Sequence, residues 1–143
     1  MAEGIMRKKI LERNLPFEVD SAGTSNYHIG ENPDDRAIET AAKFGVDISR
    51  LRGRQFTARD FSDFDLIFAM DSSNYRDILR LAPGEEEKRK ISHFLRNGNK
   101  DLDVPDPWFG GMEGFTSVYK LIDNACEQIL NDLEVKHRQD SRL

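Results

Sequence analysis

Four segments of the chain carry apolar residues at the i, i+3, i+4 spacing of an amphipathic helix. We expect helices over residues 1–14, from Asp34 or Asp35 to about Gly45, from Asp71 or Ser72 to Pro83, and after the loop that spans residues 97–114. The predicted inward residues, segment by segment, are Ile5, Met6, Ile10 and Leu11; Ala37, Ile38, Ala41 and Ala42; Tyr75, Ile78, Leu79 and Ala82; and Phe115, Val118, Ile122, Ala125, Ile129 and Leu133.

Three shorter segments between these helices read as strands. Residues 65–70 predict a strand whose residues 66–70 form a continuous apolar run, which is typical of a central strand that is covered on both faces of a parallel sheet. Residues 17–20 predict a short strand, and residues 91–95 predict a weaker one. Helices that alternate with strands in this order predict an α/β fold, layered, with parallel strands and helices on both faces.

Composition narrows the functional class. The chain has 143 residues, of which 38% are hydrophobic. We therefore expect one domain over residues 1–136 and a polar, frayed tail over residues 137–143. A net charge of −5 argues against nucleic acid as a partner, because phosphate backbones are bound by an excess of Lys and Arg. No apolar run approaches the roughly 20 residues of a membrane helix, and no signal peptide is evident, so we expect a cytoplasmic protein without a membrane partner.

No metal or cofactor is expected. His28, His93 and His137 lie far apart and match no metal-ligand spacing. The only cysteine, Cys126, falls on the buried face of the last predicted helix, where apolar surroundings make a thiol inert. We therefore favour a structural role for Cys126 over a nucleophilic one.

The loop Asp103-Val-Pro-Asp106-Pro107-Trp108-Phe109-Gly110-Gly111 is the most informative stretch. Asp106 beside two aromatic residues is a candidate general acid, because partial desolvation raises the pKa of a carboxyl group. The competing interpretation is a turn in which Asp106 bonds to its own backbone and the aromatic residues cover the core.

Two weaker candidates stay open between a functional and a structural reading. Arg50, Arg52 and Arg54 could bind an anion, although a solvated basic loop is favoured. His28 next to Tyr27 could line a ligand slot, although an exposed loop pair is favoured.

The first predicted helix starts at the first residue and has no N-cap, so its opening N–H groups lack a capping partner. We expect from this that a segment upstream of Met1 is missing.

Several stretches together resemble the low-molecular-weight protein tyrosine phosphatases. They occur in the family's order and at matching spacing, from Met1 to about Leu133, and in combination they are highly specific. They are Met1-Ala-Glu-Gly4, Asp20-Ser-Ala-Gly-Thr24, Pro33-Asp34 with Arg36, Arg54-Gln55, Asp60-Phe61, Asp65-Leu-Ile67 with Ala69-Met-Asp71, Asn74, and Asp106-Pro107 with Gly110.

The resemblance implies hydrolysis of phosphotyrosine or aryl phosphate monoesters through a cysteinyl-phosphate intermediate. Asp106 would be the general acid and base, and Tyr27, Trp108 and Phe109 would flank the substrate ring. Ser21 would help to order the phosphate-binding loop, and Asp71 would lie at the rim of the site. Phosphotyrosine proteins, small aryl phosphates and inorganic phosphate are the implied partners.

The sequence departs from the family pattern at its start. The family's first strand and its Cys-x5-Arg-Ser-Pro loop, which would precede Met1, are absent from these 143 residues. The family sheet has about four parallel strands, so we expect an incomplete chain that is inactive alone and that forms a dimer or domain swap through two exposed sheet edges.

Two smaller departures concern the site. Leu51 occupies the place where many members have a histidine that supports the phosphate-binding loop. Trp108 and Phe109 stand where members often have tyrosines, so phosphorylation there is not available.

Two alternatives remain. One is a catalytically dead module that binds phosphotyrosine or another anion. The other, less favoured, is an arsenate reductase, which would need further cysteines to relay a disulfide.

Overall fold

The computed structural model describes residues 1–107 and 111–141, which form six helices and four short strands. The helices are α1 (Ala2–Glu12), α2 (Asp35–Lys43), α3 (Asp60–Asp63), α4 (Ser72–Leu81), α5 (Glu85–Lys88) and α6 (Gly111–Ser141). The strands are β1 (Ile67–Ala69), β2 (Ile91–His93), β3 (Leu95–Asn97) and β4 (Lys100–Leu102).

The chain separates into two compact units. The first unit comprises Met1–Ser21, Pro33–Leu51 and Asp106–Leu143, and it is helical. The second comprises Ala22–Asn32 and Arg52–Pro105, and it contains all four strands.

In the first unit, α1 and α2 pack against α6. The buried residues follow the predicted helical stripes at Ile5, Ile10, Ala41 and Ile122. Gly4 allows a close approach, because a Cβ at this position would lie 2.5 Å from Cγ2 of Ile48. The small residue therefore brings the first turn of α1 against the chain that follows α2.

Two residues of the predicted stripes do not point inward. Leu11 is 75% exposed, and Ala42 is exposed as well, whereas Thr40 is fully buried in place of Ala42. Both errors fall near the C-terminal ends of their helices. Both side chains lie on the solvent-exposed sides of α1 and α2, which the spacing of apolar residues does not distinguish from the packed sides.

In the second unit, β1 and β2 pair in parallel with Ile67 opposite Ile91. This pairing confirms the predicted α/β class. The core of the unit is formed by residues of β1, β2, α3 and α4 together with Phe56, and its buried members are Phe56, Phe61, Ile67, Ala69, Ile78 and Ile91. A separate antiparallel hairpin joins β3 to β4.

The predicted strand over residues 17–20 is not a strand in the described part of the chain. Half-buried Leu15, Phe17 and Val19 do alternate with exposed neighbours, as the pattern of a strand requires. A strand also needs a hydrogen-bonded neighbour, and no described strand pairs with this segment. The parallel pairing in the described residues accordingly consists of a two-stranded sheet and one isolated bridge between Gly23 and Gln55.

The last helix is longer than the sequence suggests. α6 continues through His137 to Ser141, where we expected a frayed tail. Arg138 pairs with Glu134 one turn earlier at 3.6 Å, an i, i+4 contact that favours the helix in an exposed segment.

Candidate active site

Ser21 is held in the first unit by a buried carboxylate. Its hydroxyl donates to Oε1 of Glu3 at 2.6 Å, and the other oxygen of Glu3 accepts from Arg7 at 2.8 Å. Glu3 lies in the first turn of α1, where a negative charge interacts favourably with the helix dipole. Sequence reasoning singled out Ser21 but missed Glu3. The i, i+4 spacing of Glu3 and Arg7 was the signal that could have indicated it.

Asp71 caps α4 at the carboxyl end of β1 in the second unit. Its side chain accepts a 2.7 Å hydrogen bond from the backbone N–H of Asn74, as predicted for an N-cap. The Asn74 amide in turn donates to Oγ1 of Thr24 at 3.1 Å. The start of α4 is therefore tied to the turn at residues 23–24. Asp71 lies beyond the carboxyl end of β1, and α/β proteins bind ligands at the carboxyl ends of their parallel strands.

Tyr27 projects from an anchored loop of the second unit. Its side chain is 81% exposed. The loop is fastened to Gly53, which accepts from the N–H of Gly30 at 2.7 Å and donates to the carbonyl of Glu31 at 3.0 Å. A Cβ at Gly53 would lie 2.1 Å from the carbonyl oxygen of His28, so only glycine permits this approach.

Asp106 is exposed and lies between Pro105 and Pro107. Residues that precede proline are held in extended conformations, so the backbone of Asp106 is restricted. Trp108 and Phe109, which were predicted to flank the substrate ring, lie outside the described residues.

The buried thiol is unsuited to nucleophilic attack. Cys126 is fully buried in α6 within the first unit, and this burial raises the pKa of its thiol from 9.0 to about 12. At neutral pH the thiolate that would attack phosphorus is essentially unpopulated.

The other two candidates have local partners. Arg54 pairs with the buried carboxylate of Asp60 at 3.0 Å, which gives it a structural role in the second unit. Arg50 and Arg52 are exposed. His28 is exposed as well, and its Nδ1 lies 2.7 Å from Glu31.

The described residues give no indication of a metal or a membrane helix. Across residues 1–107 and 111–141, no group of three or more His, Cys, Asp or Glu side chains could hold a metal ion. Within the same ranges, no helix combines the length and apolar character that crossing a bilayer requires.

Ser21 and Asp71 each belong to a hydrogen-bond network within their own unit. Ser21 joins Glu3 and Arg7 in the first unit. Asp71 joins Asn74 and Thr24 in the second.

Comparison with known proteins identifies the family. The sequence profile of the low molecular weight phosphotyrosine protein phosphatases matches residues 1–139. A provisionally named low molecular weight protein-tyrosine-phosphatase of Synechocystis sp. is 42% identical, with 92% of this chain and 86% of the relative covered. The low molecular weight phosphotyrosine protein phosphatase of Saccharomyces cerevisiae is 34% identical, with 91% and 84% covered.

Solved structures agree. The crystal structure of a protein tyrosine phosphatase from Entamoeba histolytica, with Hepes in its active site, superposes with a TM-score of 0.86 at 36% identity, with 95% of this chain and 88% of the other covered. The sequence profile, the relatives and the fold agree, and the chain belongs to the low molecular weight protein tyrosine phosphatase family.

Proposed function

We propose that this protein serves the hydrolysis of phosphotyrosine or aryl phosphate monoesters, with Asp106 as general acid and base. The observation that carries the proposal is that Asp106 is exposed and lies between two prolines. It is an exposed carboxylate in a chain of a phosphatase family, and its loop is stiffened by prolines. An exposed carboxylate of this kind can reach the oxygen of a leaving group that is presented from solvent.

The proposed reaction has two steps. A cysteine thiolate attacks phosphorus and forms the S–P bond while the P–O bond to the phenol breaks, and Asp106 protonates the departing oxygen. Asp106 then removes a proton from the water that attacks the cysteinyl phosphate, which releases inorganic phosphate and restores the thiolate. Tyr27, Trp108 and Phe109 are proposed to flank the ring, with Ser21 and Asp71 as supporting residues.

We further propose that these 143 residues alone do not turn over substrate. The sequence holds no Cys-x5-Arg motif, and its one thiol is buried in α6 with a raised pKa. In a Cys-x5-Arg loop, the arginine side chain and a ring of backbone N–H groups would bind the phosphate. The 143 residues contain no such loop.

The direct test measures aryl phosphate hydrolysis by two forms of the protein. One is the 143-residue chain, and the other is the same chain preceded by a strand and a Cys-x5-Arg-Ser-Pro loop. We expect no turnover by the first form. We expect turnover by the second, reduced about 10²-fold or more by Asp106→Ala.

Asp63→Ala is the matched control, because Asp63 is an exposed aspartate that pairs with the surface residue Arg59. Turnover by the 143-residue chain that depends on Asp106 would overturn the proposed inactivity. Full activity of the loop-bearing Asp106→Ala variant would overturn the role of Asp106.

A second candidate is a module that binds phosphotyrosine or phosphate without turnover. The inaccessibility of the only thiol favours it, since binding needs no nucleophile. Calorimetric titration of the 143-residue chain with inorganic phosphate and with a phosphotyrosine peptide separates the readings. Saturable binding of the peptide supports the module, and an absence of heat supports a scaffold that does not bind phosphate by itself.

Self-association through a sheet edge is a further proposal. In the described residues β1 pairs on one side only, with β2, so its other edge is open to a strand from a second copy. Sedimentation of the purified chain tests this. A dimer is expected, and a monomer with a sharp cooperative melting transition counts against it.

A further inference from the structure

Asp103 fastens the chain that leads to Asp106 onto the start of α4. Its Oδ1 accepts two hydrogen bonds from Ser72, one from the backbone N–H at 2.9 Å and one from the hydroxyl at 2.8 Å. The next residue, Val104, donates its N–H to the carbonyl of Met70 at 2.8 Å. Three hydrogen bonds thus hold residues 103 and 104 against the end of β1 and the first turn of α4.

His93 supports this attachment from β2. The hydroxyl of Ser72 donates to Asp103, and Nε2 of His93 lies 3.4 Å from the Ser72 oxygen. The imidazole is buried, and it stacks on Tyr75 with ring centroids 4.9 Å apart. A ring held in this way limits the space in which the Ser72 side chain can rotate.

The link from Asp103 to Asp106 has little conformational freedom. Val104 and Asp106 each precede a proline, which disfavours the helical region for both residues. Pro105 lies between them, and its ring restricts its own φ to a single narrow range. Three such residues span at most about 10 Å and have few allowed backbone angles. Fixing the position of Asp103 therefore restricts the positions that the Asp106 backbone can take.

We propose that Asp103 is a positioning residue for Asp106. It fixes the start of the acid-bearing loop through Ser72, and the proline-stiffened link carries that constraint to the carboxylate. Only the catalytic meaning of this constraint rests on the proposed function, since the constraint itself is a property of the loop. Asp103 neither contacts the substrate nor transfers a proton.

The structural test uses the 143-residue chain and backbone ¹⁵N relaxation. In Asp103→Ala we expect the order parameter of the Asp106 amide to fall from the rigid range, roughly 0.85, toward the flexible range, roughly 0.6. Hydrogen exchange at the Val104 amide should accelerate about tenfold or more, because local opening becomes easier.

The conservative variant decides between hydrogen bonding and bulk effects. Asp103→Asn keeps an oxygen that accepts from both donors of Ser72, so it should retain the order parameter of the parent at Asp106. Asp63→Ala, on the surface of the second unit, should leave Asp106 unchanged. Asp103→Ala with an unchanged order parameter at Asp106 would overturn the proposal, and so would Asp103→Asn that behaves like the alanine variant.

A milder variant covers the case in which Asp103→Ala does not fold. Ser72→Ala removes the hydroxyl donor and keeps the backbone donor, so Asp106 should lose order partially. An order parameter equal to that of the parent would then overturn the proposal.

The catalytic test uses the loop-bearing form and aryl phosphates with leaving groups of differing basicity. A misplaced general acid slows poor leaving groups most, so Asp103→Ala should lower kcat for phenyl phosphate about tenfold more than for p-nitrophenyl phosphate, with KM little changed. Equal effects on both substrates would overturn the catalytic part. If Asp106→Ala itself shows no such dependence, the proposed function fails, while the relaxation result still decides the positioning role.

Discussion

The hydroxyl of Ser21 donates a 2.6 Å hydrogen bond to Glu3, a residue 18 positions earlier whose side chain is only 8% exposed. The same carboxylate binds Arg7, and Arg7 also donates to the carbonyl of Val19 at 3.2 Å. One buried carboxylate therefore ties the extended segment at residues 17–21 to the first turns of α1. Among the described residues the segment has no strand partner. This polar link holds it against α1, and an edge-to-face contact between Phe17 and His137, with ring centroids 5.8 Å apart, holds it against α6.

Removing the Ser21 hydroxyl should destabilise the first unit. Ser21→Ala leaves one oxygen of the buried Glu3 carboxylate without its donor, and an unsatisfied buried acceptor costs about 1–3 kcal/mol. Ser21 itself is exposed, and water can replace part of the bond. We therefore expect a loss near the lower end, about 1 kcal/mol. Urea denaturation followed by circular dichroism measures it.

Ser25→Ala is the matched control for this loss. Ser25 is exposed, and its side chain makes no hydrogen bond within residues 1–107 and 111–141. A surface change of this kind should stay within about 0.5 kcal/mol. Equal stability of the two variants would show that the bond from Ser21 to Glu3 contributes nothing.

The contact between α1 and α6 should make stability depend on pH. Glu127 of α6 accepts from Lys9 and Arg13 of α1. The hydrogen bond from Lys9 is the largest cause that holds the pKa of Glu127 below its ordinary 4.5. The pKa of Lys9 is raised, because burial lowers it by less than the bonds to Glu127 and Asp123 raise it.

A carboxyl whose pKa is lowered in the folded state contributes stability above its unfolded value and loses it as the pH falls. The stability difference between the parent and Glu127→Gln should therefore be constant from about pH 5 to 8 and shrink below about pH 4.5. The Glu127 side chain is 41% exposed. Solvent screening therefore limits the difference to about 1 kcal/mol or less.

Urea titrations between about pH 3 and 8 test this, with Glu12→Gln as the control. Glu12 forms an exposed i, i+4 contact with Lys8 at 3.8 Å within α1, so its replacement should change little at any pH. A difference for Glu127→Gln that does not change with pH would contradict the role of the ionised pair.

The N-cap of α2 gives a third prediction. Asp34 accepts from the backbone N–H of Arg36 at 2.8 Å, and the Arg36 side chain is the largest cause that lowers the pKa of this carboxyl. Asp34→Ala should cost about 1 kcal/mol, while Asp34→Asn, which keeps a capping oxygen, should cost a few tenths.

Asp35→Ala separates capping from charge. Asp35 is the next acidic residue and lies inside the first turn. Its loss removes only a helix-dipole interaction of about 0.3–1 kcal/mol that salt screens. Melting curves at low and high salt distinguish the two. A loss for Asp34→Ala that salt abolishes would show that charge, not the cap, stabilises α2.

The features predicted correctly from sequence are those that local patterns determine. The helix expected to start at Asp71 or Ser72 is α4, which starts at Ser72 with Asp71 as its cap, because a capping residue precedes an apolar stripe. The strand β1 lies within the predicted range 65–70, because burial on both faces leaves a continuous apolar pattern.

Features that depend on distant partners were not predictable in this way. The hairpin of β3 and β4 falls mostly within the stretch predicted to be a loop, because its exposed strands do not alternate in polarity. Its local sign is an Asn-Gly pair, in which Gly98 has a positive φ of 61°. The contact of Asp103 with Ser72 joins residues 31 positions apart, and no periodicity reports such a pair.

The thiol of Cys126 gives the last prediction. It is fully buried, and burial raises its pKa to about 12. Ellman's reagent at about pH 8 should therefore leave the native chain unlabelled for hours and label it completely in denaturant.

Replacing Cys126 tests the same burial through stability. Cys126→Ser should lower the free energy of unfolding by about 1–3 kcal/mol, because it buries a hydroxyl in an apolar site, while Cys126→Ala should lower it less. Neither change should alter turnover by the loop-bearing form beyond the effect of stability. Rapid labelling of the native chain would show that the thiol is accessible, and the proposal that these 143 residues lack a usable nucleophile would then fail.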